Sequence, residues 1–317
     1  MKLHNCNPLF CVAIALAVAV LWFRPATVQA DTLYVSAEGD TGTIYQYTPG
    51  RPPSVFADGL NSPMGLAFNS AGDLFEGDWS GNIYQFTPSG ARSTFASSAS
   101  GNPVISLAFN SAGDLFTIDN NDLNIYEFSP TGTPLGVFAT GHVGPISLAF
   151  NSAGDLFEAD MGSGKIYEFS PTGTPLGAFA SGLISPTGLV FDSLGNLFVS
   201  ETGMGLGIGP TGKIKEFSPT GTPLGTFAAG LNGPMGLAFD SAGDLFAVDN
   251  TGGSIYEYTP DGARSTFATG LSSPTELAFS PGILPPVAVP EPSMFGLLGI
   301  GGLVLGGYAW RKKQRTA

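Results

Sequence analysis

The sequence predicts an all-β chain of six four-stranded antiparallel blades in a ring, with helices confined to a signal at each end. Three observations predict it. One motif recurs six times at a nearly constant spacing. Each copy divides into four short strands separated by Gly, Pro, Asn and Asp. Helical periodicity is absent between the two termini. The 45 Gly and 25 Pro of the 317 residues agree, because such amounts punctuate short strands rather than long helices.

The repeat is read directly from aligned segments: GLAFNSAGDLF at 65–75, SLAFNSAGDLF at 106–116 and 147–157, GLVFDSLGNLF at 188–198, GLAFDSAGDLF at 236–246, and a partial ELAFS at 276–280. The leading leucines fall at 66, 107, 148, 189, 237 and 277, so the intervals are 41, 41, 41, 48 and 40. The long interval holds a seven-residue insertion within Thr202–Gly212. Self-similarity at this period in a strand-rich pattern is the signature of a β-propeller.

Within each unit the first strand is Leu-Ala-Phe. The second begins Leu-Phe and ends in an acid. The third is Ile-Tyr-x-Phe, and the fourth ends in Phe-Ala. The second-strand motif begins at Leu33, before any first strand, and the last first-strand motif, Leu277–Phe279, has no second strand after it. Pairing strand 277–280 with strand 33–36 closes the ring and removes two free sheet edges. Phe68, Phe75, Tyr84, Phe86 and Phe95 recur in register, as blade-to-blade packing requires, and are expected in the core.

These units, for which Gly236–Asp249 followed by Ile255–Tyr258 is the clearest copy, resemble NHL repeats. They are similar, more loosely, to the six-bladed family of gluconolactonase-like enzymes and virginiamycin B lyase. The resemblance covers roughly residues 31–282 and implies the fold. It leaves activity open, because the fold hosts binding modules and enzymes alike.

Both ends read as addresses. Residues 1–30 have a basic start at Lys2, an apolar run from Leu9 to Phe23, and Val28-Gln29-Ala30 as a cleavage pattern, so signal peptidase is expected to cut after Ala30. Cys6 and Cys11 leave with this segment, so no thiol or disulfide chemistry is expected afterwards. Residues 283–293 form a Pro-rich linker containing Pro290, Glu291 and Pro292. An apolar stretch at 294–310 is long enough for a short transmembrane helix that meets the inner membrane transiently, and residues 311–317 form a basic tail expected to stay cytoplasmic. Those three parts in order resemble the PEP-CTERM sorting signal. The resemblance implies a membrane-anchored precursor with its body in the periplasm, recognition by an exosortase, and delivery to the cell surface or extracellular matrix.

The body carries six basic residues, Arg51, Arg92, Lys165, Lys213, Lys215 and Arg264, against nearly all of the chain's 25 acids. The sequence pI near 4.3 excludes a nucleic-acid binder, which needs a basic face.

Strand order puts the loops between second and third strands on the same face as the links between blades. Four features stand there. Four residues beyond each second-strand Leu come Ala37, Asp78, Asp119, Asp160, Glu201 and Asp249. Five acids at one mouth suit Ca²⁺ or Mg²⁺. They equally suit capping of their own hairpin turns, which is the expected role. The insertion, beside Glu201 and Lys213, is a candidate contact loop. His142, in a link, is a candidate ligand or base, expected as an exposed loop residue. Trp79 is a candidate stacking platform for a sugar. No catalytic set can be named. The expected function is a non-catalytic interaction or scaffold module of an exopolysaccharide-associated envelope, with a polysaccharide or protein ligand on the acidic face. The alternatives are a metal-dependent lactonase- or lyase-like enzyme and a carbohydrate-binding module.

Overall fold

The computed structural model describes residues 31–39, 41–98, 101–140, 142–203 and 211–281. The signal segment with Ala30, the linker with Pro290, Glu291 and Pro292, both expected terminal helices and the middle of the insertion lie outside the described residues.

Six four-stranded antiparallel sheets make up the described part. Blade 1 joins the two ends of the chain: β24 (Pro274–Phe279), then β1 (Leu33–Ala37), β2 (Thr43–Tyr47) and β3 (Ser54–Ala57). Blade 2 is β4 (Pro63–Phe68), β5 (Leu74–Asp78), β6 (Asn82–Phe86) and β7 (Arg92–Ser97). Blade 3 is β8 (Val104–Phe109), β9 (Leu115–Asp119), β10 (Ile125–Phe128) and β11 (Pro134–Ala139). Blade 4 is β12 (Pro145–Phe150), β13 (Leu156–Asp160), β14 (Lys165–Phe169) and β15 (Pro175–Ser181). Blade 5 is β16 (Pro186–Phe191), β17 (Leu197–Glu201), β18 (Gly212–Phe217) and β19 (Pro223–Leu231). Blade 6 is β20 (Pro234–Phe239), β21 (Leu245–Asp249), β22 (Ser254–Tyr258) and β23 (Arg264–Thr269).

The innermost strands touch in circular order, β4 to β8, β12, β16, β20, β24 and back to β4, so the ring is closed. The seam has the expected pairing: Leu33 opposite Phe279, Tyr34 opposite Ala278, and Val35 opposite Leu277. Hydroxyls pin it to blade 2. Ser36 Oγ bonds Met64 O (3.1 Å) and lies 2.8 Å from Thr275 Oγ1, which donates to Pro63 O (2.9 Å). Ser200, Thr187, Met235 and Pro234 repeat this arrangement between blades 5 and 6.

One aromatic of each second strand locks the blades together. Phe75 meets Phe95 of its own blade edge-on at 4.9 Å and Phe109 of the next at 4.8 Å. Phe116, Phe157, Phe198, Phe246 and Tyr34 do the same in their blades. Edge-to-face pairs at this spacing add to the burial of the rings.

The ring is not uniform. In blades 3, 4 and 5 the fourth strand opens with Pro-Leu-Gly, and Gly136, Gly177 and Gly225 take φ of 118°, 111° and 140°. The register shifts twice in the outer pairs of blades 3 and 4 and three times in that of blade 5. It shifts once in blades 1, 2 and 6. A bulge and a leading Pro on an outer strand protect an edge from pairing with another chain.

Candidate functional site

On the linking face the ring acids turn inward to the backbone. Asp78 Oδ1 accepts from the amides of Ser80 (3.0 Å) and Asn82 (2.9 Å). Asp119 Oδ1 accepts from Asn121 N (3.0 Å). Asp160 and Asp249 each hold two segments at once. Asp160 takes Ser163 N from its own turn (2.7 Å) and Val143 N from the incoming link (2.9 Å). Asp249 takes Gly252 N (3.0 Å) and Asn232 N (3.0 Å) in the same way. Glu201 Oε1 accepts from Ile184 N of its link (2.8 Å). Asp160 and Asp249 therefore staple hairpin to link, Asp78 caps its own turn, and Glu201 holds its link. Burial pushes the Asp160 carboxyl up, but the amides of Ser163, Val143 and Gly144 outweigh that and leave it below its ordinary value. Among the described residues no group of three or more His, Cys, Asp or Glu is placed to hold a metal ion.

His142 is not the exposed loop residue that its position in a link suggests. Its side chain is 11% exposed, and Nδ1 lies 2.5 Å from Oε2 of the fully buried Glu158. The imidazole also stacks on Tyr167 at 4.5 Å and meets Phe169 edge-on at 5.3 Å. It occupies the place that Leu60 and Leu231 fill in their links. Burial raises the Glu158 carboxyl, and His142 opposes the rise.

Glu158 and its counterpart Glu76 were absent from the residues singled out above. Each stands two residues beyond the second-strand Leu, a core position held by Val35, Val199 and Ala247 in other blades. Glu76 sits across from Leu66 and Tyr84. It is fully buried, and neither carboxyl oxygen has a hydrogen-bond partner. Burial first, and the charge of Asp78 second, push it well above the ordinary range, while Arg92 opposes weakly. Glu276 is a third case. It stands on β24 where other innermost strands carry Gly65, Ser106, Ser147, Gly188 and Gly236. Its carboxyl rests against Gly236, where a Cβ would collide with it. Part of the residue reaches solvent, but protein surrounds the carboxyl and burial pushes it up to about 8, opposed by the Leu277 amide.

The remaining candidates stay apart. Trp79 is 47% exposed, with its amide bonded to Asn61 O (2.9 Å). Lys213 is half-buried opposite Glu201 at the root of the insertion. Among the described residues the structure sets Lys213 across from Glu201 and brings His142 against Glu158.

Comparison with known proteins extends both halves of this picture. Residues 288–313 match the PEP-CTERM protein-sorting motif. That motif implies export as a membrane-anchored precursor and recognition by an exosortase. No curated protein matches the sequence. In fold the chain is similar to a chain of a nidogen/laminin complex, at 19% identity and TM-score 0.67 over 79% of this chain and 99% of that one. It is also similar to a putative gluconolactonase, at 16% identity and TM-score 0.60 over 77% and 89%. A third likeness is to virginiamycin B lyase from Staphylococcus aureus, at 16% identity and TM-score 0.54 over 69% and 77%. At such identities the likeness concerns architecture alone. The chain is a six-bladed β-propeller of the architecture these proteins share, followed by a PEP-CTERM protein-sorting motif.

Proposed function

We propose that this propeller is a surface-sorted, non-catalytic interaction or scaffold module of an exopolysaccharide-associated envelope. The observation that carries the reading is the use of the linking-face carboxylates. Asp78, Asp119, Asp160, Glu201 and Asp249 accept backbone N–H bonds that rigidify the frame. A metal or catalytic centre needs donors that converge on one reacting point. A scaffold needs a rigid ring and an address. The sorting motif supplies the address.

The rival is a metal-dependent lactonase- or lyase-like enzyme holding Ca²⁺ or Mg²⁺ on the same acids. The donor set does not fit such an ion as it stands, since a metal would have to displace the amides of the hairpins and links. Two measurements on the full chain separate the readings. In the native host, surface exposure probed by external protease should be lost when residues 288–313 are deleted; undiminished exposure removes the sorting half of the proposal. The purified chain should show no metal-dependent turnover of lactones or cyclic esters, and millimolar Ca²⁺ should leave its Tm unmoved. Chelator-sensitive turnover with a mass-action rise in Tm would replace the scaffold with the enzyme.

A further inference from the structure

The seam between blades 6 and 1 differs from the other junctions on the face opposite the links. In blades 3, 4 and 5 the turn between third and fourth strands ends in Gly132, Gly173 or Gly221. Each rests so closely on the preceding blade's Phe carbonyl that a Cβ would overlap it. Gly90 and Gly262 approach less closely, with the nearest atoms 3.7 and 3.9 Å from a Cβ. At blade 1 the equivalent position is Arg51, whose amide donates to Thr48 O (3.0 Å) as Gly90 N donates to Thr87 O (2.8 Å). An arginine cannot take the glycine's place against the neighbour. Pro49-Gly50 instead forms a turn with its positive φ at Gly50 (74°), the type II pattern. A Cβ on Gly50 would meet nothing within 4 Å.

The turn therefore stands away from blade 6. Phe267 is 39% exposed, while its counterparts in the other five blades are half-buried. A cavity of about 440 Å³ lies between the blades, inside the usual range for small-molecule sites; the junctions of blades 5 and 6 and of blades 1 and 2 hold cavities of about 520 and 320 Å³, but neither has an aromatic of its fourth strand as exposed as Phe267. The wall of the cavity between blades 6 and 1 is aromatic: Tyr47 lies 5.4 Å from Phe267 at 57°. Its rim is polar: Arg51 stands on one side, Asp31 and Asp240 on the other, with Ser241 N donating to Asp31 (2.6 Å).

We propose that this slot binds one uncharged sugar unit of a polysaccharide, an identification that rests on the envelope role proposed above. An exposed aromatic wall stacks on the apolar face of a pyranose. Carboxylates accept from its hydroxyls and a guanidinium donates to them. Two carboxylates against one arginine, on a strongly acidic chain, disfavour uronic acids and other anionic units.

The test uses the full chain in a detergent without a sugar headgroup, titrated calorimetrically with cellohexaose, maltohexaose and an alginate hexamer. At least one neutral hexamer binds, and alginate does not. The double substitution Gly50→Ser with Arg51→Gly recreates the Thr87–Gly90 sequence and removes the guanidinium from the rim, and should cut affinity about tenfold or more without lowering Tm. Phe267→Ala should weaken binding similarly, and Trp79→Ala on the other face should leave it unchanged. Binding of alginate alone, no neutral binding, or neutral binding indifferent to both slot variants overturns the proposal. Surface exposure is scored on the same cells, so a sorted chain that binds no sugar sinks only this inference, and an unsorted one sinks the envelope role itself.

Discussion

Blades 3, 4 and 5 and blades 6, 1 and 2 are contiguous half-rings made from one repeat, yet they close differently. The difference is one residue between the third and fourth strands: Phe128 to Phe138 spans ten steps, Phe86 to Phe95 nine. The longer form takes up its extra residue as a bulge at Pro-Leu-Gly, and its turn glycine seats on the neighbouring blade. It leaves Leu135, Leu176 and Leu224 on the rim, each more than half exposed. The shorter form puts Arg92 over Tyr84 (5.2 Å) and Arg264 over Tyr256 (4.8 Å), and its junctions open into cavities. A repeat can thus keep its core invariant while a one-residue change in an outer turn decides whether a junction is sealed.

The largest expected effect breaks a sealed junction. Gly132→Ala must place a Cβ into the Phe95 carbonyl at φ of 82°. Left-handed strain and overpacking together should cost on the order of 4 kcal/mol. Gly90→Ala, with its nearest neighbour a ring atom at 3.7 Å and φ of 85°, should show the strain alone, about 1–2 kcal/mol. Denaturant unfolding of both variants checks this; equal losses would dissolve the distinction between the half-rings.

Much of this architecture was legible. Ring closure followed from counting strand motifs, because every strand needs a partner on each side; the register at the seam, Leu33 opposite Phe279 and Val35 opposite Leu277, is seen only in the structure. The ring acids were placed on the right face by the same count. Where their oxygens point is a side-chain torsion choice that no count reveals; the turn sequence after Asp78 and Asp249 hinted at capping, but nothing hinted that Asp160 and Asp249 also reach the link. His142 was misplaced because a link between Gly141 and Gly144 looks solvent-exposed in isolation. Aligned with Leu60, Leu183, Leu231 and Leu271 it stands in an apolar column, and Glu158 stands in the column of Val35 and Val199. Two polar exceptions in apolar columns of one unit were the available signal for a buried pair.

The open half-ring also carries Glu76 and Glu276, buried carboxyls with no imidazole against them, and Glu276 gives the next largest effect. Burial lifts its folded value to about 8, above the 4.5 ordinary for a glutamate, so the folded state holds a proton that the unfolded chain has released between those limits. Stability should therefore fall as pH rises from about 4.5 towards 8, and level off beyond. Partial access to water reduces the loss below the full shift, to on the order of 3 kcal/mol. Glu276→Gln should match the native chain at pH 4.5 and exceed it at pH 8.5 in Tm. Parallel Tm–pH curves for the two chains would show that this carboxyl titrates as an ordinary one.

Glu76 and Glu158 provide the finest test, since they hold the same column in blades 2 and 4 with different company. Glu76 has Leu60 in the adjoining link and no polar partner for either oxygen; Glu158 has the His142 imidazole 2.5 Å from Oε2. A buried polar group without partners costs stability, so Glu76→Val, which matches Val35 and Val199, should stabilise the chain by about 1–2 kcal/mol at pH 7. The same change at Glu158 strands a buried imidazole and should destabilise by a similar amount. Pairing it with His142→Leu, the residue of the other links, should recover most of that loss, with a coupling energy about as large as the single effects. If Glu158→Val proves as stabilising as Glu76→Val, the His142–Glu158 contact contributes nothing, and the two blades differ in sequence without differing in energetics.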